Sequence, residues 1–304
     1  MQPDLATIIL TFNEEQHIAR SIKSAKHISK NIYIVDSFST DKTIEIAKSF
    51  NVNIVQNKFI NYSKQYKWAL DNLKIDSTWI MRLDADEYLE DDLINEIKKK
   101  LPSISKSVVG INFKRKHIFM NKWIRFGGRY PLILLRLWRN GFGMIEDRWM
   151  DEHIIVKGGE TITFKNNFVD HNLNDLAFFK KKHSKYAIRE AIDVLIDKLS
   201  LINVTNKLDR KSTSLNAYIK RFIKEKFYNK LPSHIGPIFY FIYRYFILLG
   251  FLDGRAGFHY HYLQGFWYRN LVSKKVLEFE KKISHLKIKG EILSELSRLT
   301  NYKL

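Results

Sequence analysis

The chain has 304 residues, with 51 Lys and Arg against 32 Asp and Glu and a formal net charge of +19. With 45% apolar residues it can bury a core, and with no cysteine it can form neither a disulfide nor a thiolate metal site. A surface this basic favours anionic partners such as nucleic acid, phosphorylated substrates or an anionic membrane face, although general solubility explains part of it.

The opening, "MQPDLATIIL", lacks a basic stretch followed by a long apolar run, so no secretory leader is expected and a cytoplasmic location is. "LATIILTF" (5–12) is β-branched and apolar, which predicts a strand. "NEEQHIARSIKSAKHI" follows with Ile18, Ile22 and Ala25 at helical spacing. "NIYIVDSFS" (31–39) predicts a second strand and turn, "DKTIEIAKSF" a helix, "VNIVQ" (52–56) a third strand and "YSKQYKWALDNL" another helix. "STWIMRLDADE" is a fourth strand ending in acids. "EDDLINEIKKKL" (90–101) has acids at its start and lysines at its end, as the helix dipole favours.

Strands alternating with helices predict an α/β fold with a mostly parallel, Rossmann-like sheet. Such sheets bind ligands outside the carboxyl ends of their strands. The residues to inspect are therefore Thr11 to Glu15, Asp36 to Asp41 and Asp84 to Glu87. Neither G-x-G-x-x-G nor G-x-x-x-x-G-K-[ST] occurs, which argues against a dinucleotide fold or a P-loop.

Beyond residue 105, "VVGINFKRKHIF", "LILLRLWRN", "RWMDEHIIV" and "TITFKNNFVDH" look strand-like, and a long helix is expected from near Leu176. The polar run 203–214 is a candidate linker, giving an expected division into 1–202 and 203–304. Residues 237–252, "PIFYFIYRYFILLGFL", are apolar and aromatic apart from Arg244, and basic and aromatic runs flank them. The run is too short for a spanning helix. It reads as an interfacial element on an anionic surface, with a buried core helix as the alternative.

Within the acid cluster, Glu90, Asp91 and Asp92 are explained by the start of a helix. Asp84 and Asp86 differ, because at i and i+2 of an extended strand they point to one side. Two such carboxylates repel unless a proton or cation lies between them. Mg²⁺ and Mn²⁺ prefer carboxylate and diphosphate oxygens, so the pair is a candidate metal–diphosphate seat.

"TIILTFNEEQHIARSIKSA", "IYIVDSFSTDKTIEIAKSF" and "WIMRLDADEYL", in that order, resemble the conserved blocks of family 2 glycosyltransferases of the GT-A fold. "MDEHI" (150–154) is similar to the segment carrying the base in the lipopolysaccharide-core branch, and "GFLDGRAGFHYHYLQGFWYRNLVSKKVLEFE" resembles the tail of members that build bacterial surface polysaccharides. Residues 180–235 match least clearly.

The resemblance implies a transferase that uses a divalent metal, Mg²⁺ or Mn²⁺, with Asp36 at the nucleobase and Thr11, Phe12, Asn13 and Glu14 lining the nucleotide pocket. It places Asp84 at the ribose or the metal, Asp86 on the metal and His171 near the metal or diphosphate. Family members often carry an Arg-Asn pair where this chain has Tyr66 and Lys67, so Lys67 or Lys64 is the candidate phosphate contact.

Glycosyl transfer needs a base for the acceptor hydroxyl. Similarity to the His-Glu pattern of the branch favours Glu152, with Asp151 second and Glu146 and Asp147 behind; each could instead pair with Arg148. The implied reaction is inverting: a hexose, most simply from a UDP-sugar donor, passes to a lipid-linked or cell-surface glycan acceptor on the cytoplasmic face of the inner membrane. A sugar nucleotidyltransferase is the alternative, but the loop after the first strand is acidic rather than glycine-rich and basic. A specific nucleic-acid partner is not expected, since no recognition module is visible.

Overall fold

The structure is a computed structural model and describes residues 3–146, 152–201, 235–302 and 304. These form two compact units, one of residues up to 146 with 152–173, the other from Asn174 onward. The long helix after residue 174 therefore groups with the second unit, ahead of the boundary expected at 202/203. The candidate linker 203–214 lies outside the described residues.

The first unit opens with β1 (Leu5–Thr11), α1 (Ile18–Lys26), β2 (Asn31–Asp36), α2 (Thr43–Ser49), β3 (Asn53–Gln56), α3 (Tyr62–Asn72) and β4 (Trp79–Asp84). This matches the alternation read from the sequence. β1 pairs in parallel with β2 on one side and with β4 on the other, and β2 pairs in parallel with β3. The chain first winds outward through β2 and β3 and then returns past β1, so a switch in strand order falls between β1 and β4. That is where open α/β sheets leave a crevice.

After β4 come β5 (Glu87–Leu89) and α4 (Asp91–Lys100), then β6 (Val108–Phe119), β7 (Lys122–Ile124), β8 (Leu132–Arg139), β9 (Gly143–Ile145), β10 (Ile154–Val156) and β11 (Glu160–His171). Among the described residues the main sheet runs β3-β2-β1-β4-β8-β6-β11-β5, with β7 beside β6. β8 runs antiparallel to both β4 and β6, β11 is parallel to β6, and β5 is antiparallel to β11. The parallel character thus belongs to the first four strands, and the second half is mixed.

Both faces of the sheet are covered. Ile9, Met81 and Leu83 pack with Ile18 and Ile22 of α1 and Leu93 of α4 on one face. Ile8, Val35 and Ile80 pack with Tyr66 and Ala69 of α3 and with Trp138 on the other. Alternate residues of β1 and β4 feed opposite layers, as strand geometry requires. Ile18, Ile22 and Ala25, the predicted inner face of α1, are fully buried. Gly127 and Gly128, with φ of 66° and 70°, form the turn between β7 and β8 in a conformation that favours glycine.

The second unit is helical: α5 (Leu176–Leu199), α6 (Gly236–Ile242), α7 (Gly254–His261), α8 (Tyr268–Ile283) and α9 (Lys289–Thr300). Its core is built from Ala191, Leu195, Phe279, Ile283 and Leu296. The turns at Tyr243–Ile247 and Tyr262–Trp267 are π-helical. Among the described residues no single helix is long and apolar enough to cross a membrane; the helical pair 236–247 and 250–283, bent by 72°, passes that test only when taken together.

Candidate active site

The site is assembled at the carboxyl ends of β1, β2 and β4. At β2, Asp36 is fully buried and its carboxylate collects four donors. The Thr11 hydroxyl (3.0 Å) and the Ser39 hydroxyl (2.5 Å) bond to Oδ1; the Ser39 N–H (2.9 Å) and the Gln56 amide (3.1 Å) bond to Oδ2. The loops after β1 and β2 are then stitched together. Asn13 donates its N–H to the Ser39 hydroxyl (2.9 Å) and accepts from the Thr40 N–H (2.8 Å). The Glu14 N–H reaches the Thr43 hydroxyl (2.7 Å), and the Glu15 carboxylate accepts from the Lys42 N–H (3.1 Å).

His17 anchors this loop to the far end of the unit. Its Nε2 accepts the Leu173 N–H (2.9 Å), which leaves Nδ1 to donate to Glu14 at 2.7 Å. Asn13 and Phe38 hold left-handed φ values of 55° and 61°. Non-glycine residues adopt that conformation at a cost that the surrounding bonds must offset. Phe12 and Phe38, 56% and 54% exposed, stand out as bare aromatic rings at the ends of β1 and β2.

β4 ends in the acid pair. Asp84 Oδ1 accepts from Arg82 Nε (3.1 Å) and Oδ2 from Arg136 Nη2 (3.4 Å). Burial pushes the Asp84 carboxyl up, but the Arg82 and Arg136 guanidiniums outweigh it and hold its pKa down at about 2. Glu87 accepts the Asp84 N–H (3.0 Å) and pairs with Arg136 at 2.5 Å, while its own burial pushes its pKa upward. Asp86 Oδ2 accepts from the Asn172 amide (3.0 Å), and its carbonyl accepts the His171 N–H (3.1 Å) and Arg20 Nη2 (3.2 Å). Arg20 Nη1 also lies 3.3 Å from His171 Nδ1; burial, then the neighbouring Arg20 charge, lowers the His171 pKa. Beside them, Asp170 pairs with Arg115 (3.3 Å) and His117 (3.1 Å).

Glu152 lies at the other end of the same network. Arg82 Nη2 donates to its Oε1 at 3.1 Å, and its side chain is 9% exposed. Asp151 and Asp147 lie outside the described residues. Glu146 closes the base of the β9–β10 pair, accepting from the His153 backbone N–H (3.2 Å) and lying 3.1 Å from its ring. Lys67 faces solvent on α3, paired with Asp71 at 3.0 Å. Lys64 donates its backbone N–H to Asn61, the cap of α3.

The structure links Asp84 to Glu152 through Arg82, joins Asp86 to His171 by a backbone bond, and ties Thr11, Asn13, Glu14 and Asp36 together in the loops after β1 and β2, with Phe12 exposed beside them. It does not bring Lys67 to any of these groups. Sequence reasoning missed Arg82, Arg136 and Tyr66. The first two were detectable: "WIMRLD" and "LILLRLW" each carry a lone arginine inside an apolar strand, which must find an anion when buried. Among the described residues, no three His, Asp or Glu side chains are grouped to hold a metal ion by themselves.

Comparison with known proteins agrees with this architecture. The model of glycosyl transferase family 2 matches residues 7–170. The chain belongs to that family, and its mixed central sheet with flanking helices is the GT-A fold. An uncharacterized glycosyltransferase of Rickettsia typhi is 36% identical over 94 residues, 31% of this chain and 32% of that protein. Glycosyltransferase SunS of Bacillus phage SPbeta is 27% identical over 99 residues, 32% of this chain and 23% of SunS. The match thus spans about a third of the length of these curated relatives or less. The solved structure of Staphylococcus aureus TarS 1–349 with UDP-GlcNAc aligns over 93% of this chain and 92% of its own, at 12% identity and a TM-score of 0.44. Glucosyl-3-phosphoglycerate synthase from Mycobacterium tuberculosis, with Mn²⁺, UDP and glucosyl-3-phosphoglycerate, aligns over 37% of this chain and 43% of its own, at 15% identity and a TM-score of 0.31.

Proposed function

We propose that the protein is an inverting glycosyltransferase that moves a hexose from a UDP-sugar to a hydroxyl of a lipid-linked or cell-surface glycan. One observation supports this reading most: in a family 2 chain, Arg82 at the end of β4 bridges Asp84 and Glu152, next to the turn that carries Asp86. Thr11, Phe12, Asn13 and Glu14 line the nucleotide, with the bare rings of Phe12 and Phe38 available to the base. Asp36 acts beneath them, ordering both loops before a donor arrives. Lys67 and Lys64 are assigned to the phosphates only if donor binding draws their side chains inward.

Mg²⁺ or Mn²⁺ is the proposed cofactor. The donor set fits an ion carried on a diphosphate rather than a protein cage: Asp86 offers a carboxylate, whereas both Asp84 oxygens already meet arginines. Asp86 would hold the ion, with Asp84 and His171 beside it. When bound, the ion offsets the charge that grows on the leaving diphosphate. Glu152, or Asp151, takes the proton from the acceptor hydroxyl as that oxygen bonds to the anomeric carbon. The bond from that carbon to the diphosphate oxygen breaks, its electron pair leaves with the diphosphate, and the anomeric centre inverts.

A peripheral site of action on the cytoplasmic face of the inner membrane belongs to the same proposal. It is supported by the net charge of +19 and by the exposed Phe239, Phe246, Ile247 and Leu252 of the helical unit. The test is release of free nucleotide from a panel of nucleotide sugars, with bacterial lipid extract as acceptor, in the presence of Mn²⁺ or of EDTA.

A further inference from the structure

Arg82 is a buried cation in the middle of an apolar strand, only 8% exposed. Its planar fork meets two carboxylates from distant parts of the chain, Nε on Asp84 Oδ1 and Nη2 on Glu152 Oε1, each at 3.1 Å. The Tyr66 ring packs against the guanidinium, 5.6 Å from its carbon, and is itself fully buried. Ile80, Arg82 and Asp84 alternate with Met81 and Leu83, so the guanidinium and Asp84 lie on the Tyr66 side of the sheet. Burial alone would weaken the Arg82 charge; Asp84, then Glu152, reverse that and hold it protonated.

The bridge has a directional consequence. Arg82 engages Oε1 of Glu152; among the described residues, Oε2 of that carboxylate makes no hydrogen bond. Glu152 precedes β10, whose first residues are set by the pairing of Ile154 with Ile145 in β9. The backbone is thus fixed on one side, and Arg82 fixes the side chain on the other.

We propose that Arg82 is a positioning residue that holds the Glu152 carboxylate, by a bridge shared with Asp84, so that its second oxygen faces the acceptor hydroxyl. This rests on the reading of Glu152 as the base. Small displacements of a catalytic group are costly, with about a hundredfold lost for roughly 1 Å. A lysine keeps the charge but cannot span two carboxylates with a rigid fork.

The experiment is a double-mutant cycle on the full chain: Arg82→Met, Glu152→Gln and the double variant, with Arg82→Lys alongside. It reads kcat and KM for nucleotide release from a UDP-sugar that the wild type turns over, UDP affinity by calorimetry, and melting temperature. Arg82→Met is expected to lose about a hundredfold in kcat, with KM and UDP affinity within about threefold of wild type. Arg82→Lys recovers about tenfold of that loss, and adding Arg82→Met to Glu152→Gln costs less than about twofold more.

Independent losses that multiply in the double variant would overturn the proposal, as would a fall in UDP affinity as large as the fall in kcat. Should Arg82→Met not fold, Arg82→Lys decides: wild-type kcat in that variant overturns the claim. Wild-type kcat in Glu152→Gln defeats the reading of Glu152 as base, and the positioning role with it, whereas a lowered kcat in Glu152→Gln with wild-type kcat in Arg82→Met defeats the positioning role alone. The ion pair is tested separately by melting, where coupled shifts support it and additive shifts deny it.

Discussion

Asp36 is the clearest case of a site residue that works through its neighbours. Four donors from Thr11, Ser39 and Gln56 converge on one fully buried carboxylate. Asp36→Ala would strand those donors, and buried donors without partners are costly. The expected loss is about 3 kcal/mol, read as a lower denaturant midpoint, together with weakened UDP binding. A variant with the wild-type midpoint would show that the loops do not depend on it. The same residues mark what the sequence made legible. The strand that ends at Asp84 was legible, but Asp86 falls in the turn between β4 and β5, so the extended spacing expected of the two acids does not hold; the loops that carry Asn13 and Glu14 do follow β1 as expected, and Asp36 closes β2. Arg136 was visible as a lone arginine in an apolar strand, but its partner was not, and Asn172 was hidden altogether, because their partners lie 52 and 86 positions away along the chain. Tyr66 is visible as a neighbour of Arg82 only once α3 and β4 are packed together.

At the scale of elements, the first βα units were readable because local periodicity and burial agree there. β5 was not: "EYL" carries no strand signal of its own and pairs with β11 only through a long-range register, Glu87 opposite Asp170. β11 also hides an irregularity. Its register against β6 shifts between Thr163 and Asn167, leaving N–H groups that need another acceptor. Glu96 of α4 supplies it, accepting from the Lys165 N–H (3.1 Å), the Asn166 N–H (3.0 Å) and the Asn166 side chain (2.9 Å). Burial pushes the Glu96 carboxyl up, but the bonds from Lys100, Lys165 and Asn166 win and lower its pKa. A depressed folded pKa gives stability that is complete above the ordinary Glu range and lost as pH falls through the lowered value. Glu96→Gln should therefore cost about 2 kcal/mol near neutrality, and the gap to wild type should close in acid, where both side chains are neutral. A gap unchanged by pH in chemical denaturation would refute the charge as its source.

For the whole molecule, the charge and the apolar surface of the helical unit lead to one expectation. Phe246 and Ile247 are 54% and 67% exposed on the π-helical turn after α6. On an anionic bilayer they would enter the headgroup region while lysines and arginines meet the lipid charge. Replacing both by serine should lower sedimentation with phosphatidylglycerol-rich vesicles by about tenfold or more, since each large apolar side chain buried contributes about 2 kcal/mol. Wild-type binding should weaken as salt rises. Vesicle binding that neither change alters would remove the membrane from the account.

The central claim is that the end of β4 carries metal-assisted sugar transfer, and nucleotide release by wild type and Asp86→Ala tests it most directly. The predicted result is release of UDP from at least one UDP-hexose when lipid extract and Mn²⁺ are supplied, abolished by EDTA and lowered by about a hundredfold or more in Asp86→Ala. Release from no nucleotide sugar, or undiminished release by Asp86→Ala, would contradict it.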